Sequence, residues 1–138
     1  MRHTTALLTA ACLLLAGAAL GCSSGDDTAK DCAAALTEKT GGESGDTPTV
    51  SEAKERVDAF DDTLAGMVQS GYEDVAKDAF DTAERKFEEG GESRPGACES
   101  LSDDDYTALL TAKVIDGLGW TDEDGKFDKL KMVDSLSD

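Results

Sequence analysis

The sequence predicts an all-α fold, a small bundle of four or five helices within its 138 residues. Apolar residues recur at spacings of three and four along several segments, which is the period of one helix face. Glycine-rich stretches separate these segments. No alternating run of β-branched or aromatic residues extends beyond a few positions, so strand signals are nearly absent.

The first predicted helix is short. Ala29, Cys32, Ala33 and Leu36 stand at positions i, i+3, i+4 and i+7, which places them on one face of a helix ending near Gly41. Residues 41–48 consist of glycine, serine, aspartate, threonine, proline and glutamate, and we expect a loop there.

The clearest helix extends from about Val50 to Ser70. Thr49 and Glu52 have the spacing of a capping box, in which each side chain bonds the other residue's backbone amide. Gly71 is suited to the turn that ends the helix. Six apolar residues follow helical spacing along it: Val50, Ala53, Val57, Phe60, Leu64 and Met67.

A third helix is predicted from about Glu73 to Glu89, with Gly90 and Gly91 as its end. Residues 70–72 form so short a connection to the preceding helix that we expect the two helices to pack as an antiparallel hairpin. Its predicted apolar face contains Ala76, Phe80, Ala83 and Phe87, with Val75 and Ala79 beside them.

Two further helices complete the prediction. Ser102 is a candidate N-cap, and Asp103, Asp104 and Asp105 would occupy the electropositive first turn of the fourth helix. Its apolar residues are Tyr106, Leu109, Leu110, Val114 and Leu118, with Gly117 and Gly119 at its end. A final short helix is predicted from the spacing of Phe127, Leu130, Val133 and Leu136.

Charge and composition exclude several functional classes. The net charge of −17 argues against nucleic-acid or headgroup binding through a basic patch. The only histidine is His3, so His-ligated metals and Ser/His/Asp or Cys/His catalysis are not expected. Nothing singles out a pair of carboxylates for acid/base chemistry. We therefore expect no catalysis, no cofactor and no metal.

The N-terminal segment has the organisation of a secretory signal. A short cationic start, Met1 to His3, precedes a fifteen-residue apolar run at 6–20, shorter than the about 20 residues of a membrane span. The run ends in Ala19-Leu20-Gly21-Cys22, followed by Ser23-Ser24-Gly25. This segment resembles the lipobox of bacterial lipoproteins, in which small residues precede a cysteine that is lipidated and becomes the new N-terminus. The resemblance covers residues 1–22 only.

The resemblance implies three regions. Residues 1–21 would be a cleaved signal peptide, 22–28 the lipidated Cys22 with a flexible tether, and 29–138 an acidic helical domain. The domain would lie on the extracytoplasmic face of the cell membrane. A diacylglyceryl group carries two acyl chains, which suffice for stable anchoring. Two alternatives remain: ordinary cleavage after Ala18, which would release a soluble protein, and an uncleaved anchor.

If Cys22 carries lipid and Cys12 leaves with the signal, the mature chain retains an even pair, Cys32 and Cys98. An even pair in an oxidising compartment predicts a disulfide. Closing a loop of about 66 residues would contribute about 4 kcal/mol in the chain-entropy model. Leu, Ile, Val and Phe make up only about 16% of residues 22–138, and the net charge there is −18. Such a composition is typical of disordered chains, so we expect this bond to be important for keeping the domain folded. The alternative, a redox-active pair, lacks a Cys-x-x-Cys arrangement.

The segment from Asp122 to Asp128 suggests an oxygen-rich Ca²⁺ loop. Aligning Gly125 with the sixth position of an EF-hand puts Trp120 at the first position and Lys131 at the twelfth, where acidic ligands are needed. We therefore expect a polar turn between two helices. Weak cation binding by Asp122, Asp124 and Asp128 is the alternative.

Trp120 is expected in the core beside Leu118, or else as an exposed anchor for a partner. The most consistent function is a monomeric, non-catalytic interaction or structural module of the cell envelope. It would be attached to the membrane through lipid on Cys22, and its partner would be an envelope protein that the sequence does not identify. A low-affinity divalent-cation binder is the second hypothesis.

Overall fold

A computed structural model describes residues 26–43 and 45–138. Within them lie five helices: α1 at 26–40, α2 at Val50–Gln69, α3 at Glu73–Gly91, α4 at Asp103–Gly117 and α5 at Lys129–Leu136. A 3-10 turn, Gly96–Cys98, precedes α4. The only β pairing in this part of the chain is an isolated bridge between Thr121 and Phe127. The prediction of an all-α fold is confirmed.

The predicted apolar face of α1 is buried. Its four residues are all 0% exposed: Ala29, Cys32, Ala33 and Leu36. Residues 26–28 are already helical, although the sequence assigns them to the tether. The C-terminal end of α1 packs closely on α4. A Cβ at Gly117 would lie 2.1 Å from the backbone oxygen of Thr40, so no other residue fits at 117 without movement.

Helix α2 begins at the predicted capping box. Thr49 Oγ1 accepts from the Glu52 amide at 3.3 Å, and Glu52 Oε2 accepts from the Thr49 amide at 2.8 Å. The helix ends in a Schellman motif around Gly71, whose φ is 85°. There the Tyr72 amide bonds the Met67 carbonyl at 2.9 Å, which reverses the chain into α3.

Helix α3 turns a face of small residues toward the core. Its buried residues are Ala76, Ala79, Ala83 and Gly90. Phe80, predicted on the buried face, is 51% exposed, so that assignment is wrong. The helix ends at Gly91, within the glycine pair that was predicted as its end. A Cβ at Gly90 would lie 3.3 Å from both Leu110 and Thr40, so the small residues let three helices approach closely.

Helix α4 is the central helix and packs against both α2 and α3. Every residue from Ala112 to Asp116 is buried. A second Schellman motif, with Gly119 at φ 77° and the Trp120 amide bonding the Ile115 carbonyl at 3.1 Å, directs Trp120 inward. Trp120 is 1% exposed and stacks on Phe60, with 5.9 Å between the ring centroids. The prediction that Trp120 lies in the core is confirmed.

Helix α5 is capped by Asp128, whose Oδ1 accepts from the amides of Leu130 and Lys131 at 2.9 and 3.2 Å. Met132 is its buried residue. Leu130 is 73% exposed, so its predicted place on the apolar face is wrong. Phe127 lies before the helix and meets Phe60 edge-on at 5.5 Å.

Candidate functional site

Cys32 and Cys98 form a disulfide with a Cα–Cα distance of 4.7 Å, as predicted. Both residues are fully buried. Reactive cysteines are partly exposed, so this burial favours a structural role over redox chemistry. Cys22, the predicted lipidation site, lies outside the described residues.

The structure also contains a buried charge network centred on Asp46, in the loop before α2. Asp46 accepts two hydrogen bonds from Arg56 of α2, at 2.8 Å from Nη1 and 3.0 Å from Nη2. Lys113 of α4 places its Nζ 2.7 Å from the Asp46 carbonyl and 3.3 Å from Asp46 Oδ2. The side chain of Lys113 is fully buried and that of Arg56 is 3% exposed. The Asp46 carboxylate therefore connects α2 and α4 to the loop that precedes α2.

Asp116 supplies the second carboxylate of this network. Its Oδ2 accepts from Lys113 Nζ at 3.1 Å and from the Glu43 amide at 3.0 Å. Its Oδ1 accepts from the Thr121 hydroxyl at 3.1 Å. Gly42 approaches so closely that a Cβ there would lie 2.1 Å from Asp116 Oδ2. Asp116 thus holds the loop between α1 and α2 and the turn that follows α4.

The four charges of the network balance each other. Burial by itself raises the pKa of the Asp46 carboxyl, but hydrogen bonds and charges from Arg56 and Lys113 outweigh it and hold that pKa below its usual value. Asp46 is therefore a carboxylate at neutral pH. Because the charged groups already face one another, the arrangement suits a structural clasp for the loop rather than proton transfer.

An open groove of about 650 Å³ lies beside the network. Residues of α2, of the loop at 45–48 and of the turn at 124–127 line it. Glu52, Glu55 and Asp124 line it together with Lys126, so acidic side chains outnumber basic ones there.

The segment from Asp122 to Asp128 forms a turn between α4 and α5. Asp122 Oδ1 accepts from the amides of Asp124 and Lys126, at 2.9 Å each, while Asp128 caps α5. Gly125 has φ 77°, and a Cβ there would lie 3.0 Å from Arg56 Nη2, so the turn covers the buried ion pair. Over residues 26–43 and 45–138, no group of three or more His, Cys, Asp or Glu is arranged to hold a metal ion.

The three aspartates at the start of α4 serve the helix and its neighbours. Ser102 Oγ accepts from the Asp105 amide at 3.2 Å, as the capping prediction requires. Asp103 pairs with Arg94 at 2.9 Å, and Asp105 pairs with Lys54 at 2.8 Å. This agrees with the interpretation of the triplet as a helix N-terminus.

Sequence reasoning missed the charge network, although two signals for it were present. Arg56 stands three residues after Ala53 and four before Phe60, on the apolar stripe of α2. Lys113 stands four residues after Leu109, within the apolar stripe of α4. A basic residue on each of two apolar stripes indicates buried ion pairs, because a lone buried charge is very costly. Asp116 stands three residues after Lys113 on the same stripe, whereas Asp46, which lies in a loop, had no comparable signal.

None of the helices in the described part of the chain combines the length and the apolar character needed to cross a membrane. A scan against protein-family models, a search of curated proteins and a search of solved structures gave no significant match to this chain.

Proposed function

We propose that this protein is an acidic bacterial lipoprotein, anchored by lipid on Cys22 at the extracytoplasmic face of the cell membrane. It acts there as a non-catalytic interaction or structural module of the envelope. The observation that carries the proposal is the lipobox-like Ala19-Leu20-Gly21-Cys22, which precedes a helical domain closed by a disulfide.

The pairing of the cysteines supports export and lipidation together. Disulfides persist in oxidising compartments and are rare in the bacterial cytoplasm. Once Cys12 has left with the signal and Cys22 carries lipid, the bond between Cys32 and Cys98 leaves no free thiol. Without the lipid, an exported chain would carry one odd thiol at position 22.

Charge and chain length support a domain held near the membrane without lying on it. The chain is helical by residue 26, so at most three residues separate Cys22 from α1. Residues 22–138 carry a net charge of −18, which anionic lipid headgroups repel. The lipid thus provides the attachment and the charge keeps the domain off the surface.

The pairing of the buried charges supports a non-catalytic role. In the described residues, the most deeply buried charges, Arg56 and Lys113, are paired with carboxylates. Catalytic sites instead leave a nucleophile, acid or base free to reach a substrate.

Detergent phase partition of cell extracts tests the anchor. The wild type and Cys12→Ala, whose cysteine leaves with the signal, should enter the detergent phase. Cys22→Ala should remain in the aqueous phase. A wild type found in the aqueous phase would overturn the proposal, and a Cys22→Ala protein in the detergent phase would indicate an uncleaved anchor instead. Crosslinking in intact cells, followed by purification, would then identify the envelope partner.

Low-affinity binding of a divalent cation is the second candidate. The observation in its favour is a small pocket of about 200 Å³ that Asp122, Glu123 and Asp124 line together with the carboxylates of the buried network. Calorimetric titration with Ca²⁺ of the chain from residue 23 tests it, with Asp124→Asn as the matched variant. This candidate is eliminated if the titration gives no heat of binding and Ca²⁺ leaves the melting temperature unchanged.

A further inference from the structure

The disulfide gives the domain two covalent connections to its own N-terminus. Cys32 lies in α1, ten residues after Cys22, and Cys98 lies just before α4. All of α2 and α3 is between them. Two covalent connections therefore link α1 to the chain just before α4: the peptide chain through residues 33–97, and the bond between the two sulfurs.

Several exposed links of the fold lie inside this closed loop. Ser70, Gly71 and Tyr72 at the tip of the α2–α3 hairpin are all exposed, and Tyr72 is 62% exposed. Glu92 and Ser93, after α3, are exposed as well. Exposed loop tips are the preferred sites of proteolytic cleavage. A protease that cuts at these two places leaves fragments that the disulfide still joins.

We propose that the Cys32–Cys98 disulfide keeps the domain attached to its anchor after a cut between these cysteines, and that release requires reduction as a second event. The inference rests on the proposed anchor at Cys22. The cut hydrolyses one peptide bond and consumes one water. A dithiol then transfers two electrons and two protons to the disulfide, which leaves two thiols on the protein and an oxidised dithiol.

Burial of the disulfide sets the order of the two events. Cys32 and Cys98 are both fully buried, so a reductant reaches them only when the fold opens. A cut at the hairpin tip removes the covalent link between α2 and α3, both of which pack on α4. Opening becomes easier because fewer contacts hold each fragment. The intact protein therefore resists reduction, and the cut protein resists release until it is reduced.

Controlled cleavage tests retention. A site-specific protease sequence is inserted between Ser70 and Gly71 in the chain from residue 23, which contains every described helix. The chain is held on beads by an N-terminal biotin and carries a C-terminal tag. After the cut, washing with urea should leave the tag on the beads, and dithiothreitol should release it. Release by urea alone would overturn the proposal.

The matched control carries the same insertion between Glu99 and Ser100, two exposed residues beyond Cys98. After its cut, urea alone should release the tag, because no covalent bond spans that position. Retention there would show that the disulfide is not what holds the fragments, and the proposal would fall. Since the beads hold biotin and not lipid, this result is independent of whether Cys22 is lipidated.

A second measurement tests the order of events. Thiol alkylation during dithiothreitol treatment, without urea, gives the rate at which the disulfide is reduced. The rate should rise about tenfold or more when the hairpin tip is cut, which corresponds to a loss of about 1.4 kcal/mol in the cost of opening. Equal rates before and after the cut would contradict the proposed order.

Discussion

Substituting Asp46 by asparagine removes the negative charge that Arg56 and Lys113 share while preserving the shape of the side chain. Arg56 loses both of its hydrogen bonds to a carboxylate, at 2.8 and 3.0 Å, and Lys113 keeps only Asp116 as an anionic partner. The two cations cannot move into water, because their side chains are 3% and 0% exposed. The variant therefore leaves a buried positive charge without compensation.

Removing one partner of a buried ion pair costs about 3–5 kcal/mol. The Asp46 side chain is 15% exposed, so some water reaches it and the lower end of that range applies. We expect Asp46→Asn to lower the free energy of unfolding by about 3 kcal/mol. Small domains are stable by about 5–15 kcal/mol in total, so the loss would be a large part of the stability.

Urea denaturation of the chain from residue 23 at pH 7, followed by Trp120 fluorescence and circular dichroism, measures this loss. Asp105→Asn is the matched control, because the bond from Lys54 to Asp105 is also 2.8 Å long but its side chains are 52% and 33% exposed. Exposed pairs contribute little. Equal losses in the two variants would refute the claim that burial makes the Asp46 network essential.

Three further predictions concern acid, the disulfide and two glycines. The pKa of Asp46 is lower in the folded protein, so its stabilising effect is complete above its unfolded pKa of about 3.9 and is lost as the pH falls through the folded value. The stability difference between wild type and Asp46→Asn should thus be constant from pH 7 to 5 and should shrink by pH 3; a constant difference would contradict the pairing. Replacing both Cys32 and Cys98 by alanine should lower the free energy of unfolding by about 4 kcal/mol in urea, and no measurable loss would mean that the bond does not constrain the unfolded chain. Gly117→Ala should destabilise by about 1–3 kcal/mol because its Cβ would meet the backbone of α1. Gly66→Ala, in an open helical position, should instead stabilise by about 0.5–1 kcal/mol; melting temperatures that shift in the same direction would contradict the packing.

Local signals predicted the starts of the helices well. The capping box at Thr49 and Glu52 and the cap at Ser102 both form as expected. Each depends on residues within three positions of each other, so the local sequence carries the signal in full. The cysteine pairing was also predictable, because counting cysteines leaves a single pair once Cys12 and Cys22 are assigned.

Apolar periodicity was less reliable for deciding which face is buried. On α3, both the large residues and the alanines follow helical spacing, and close packing against α4 selects the alanines and Gly90. Phe80 is left half exposed at the edge of this face. On α5, Met132 is buried and Leu130 is not. Hydrophobicity alone does not reveal how near a neighbouring helix comes.

The buried charges show where sequence reasoning lacks information. Lys113 is buried because Asp46, 67 residues earlier, is brought to it by the loop before α2. No local pattern specifies that meeting. The acidic turn around Gly125 covers the same ion pair. The acidic segment from Asp122 to Asp128 therefore lies against an ion pair that no local sequence pattern predicted.

The central claim is that this acidic, disulfide-closed domain is attached to a membrane by lipid on Cys22. Mass spectrometry of the N-terminal fragment, purified from the membranes of a producing bacterium, tests it most directly. We expect a chain that begins at Cys22 and carries a diacylglyceryl group on the cysteine sulfur. A chain that begins after Ala18, or one that still carries residues 1–21 with an unmodified cysteine, would contradict it.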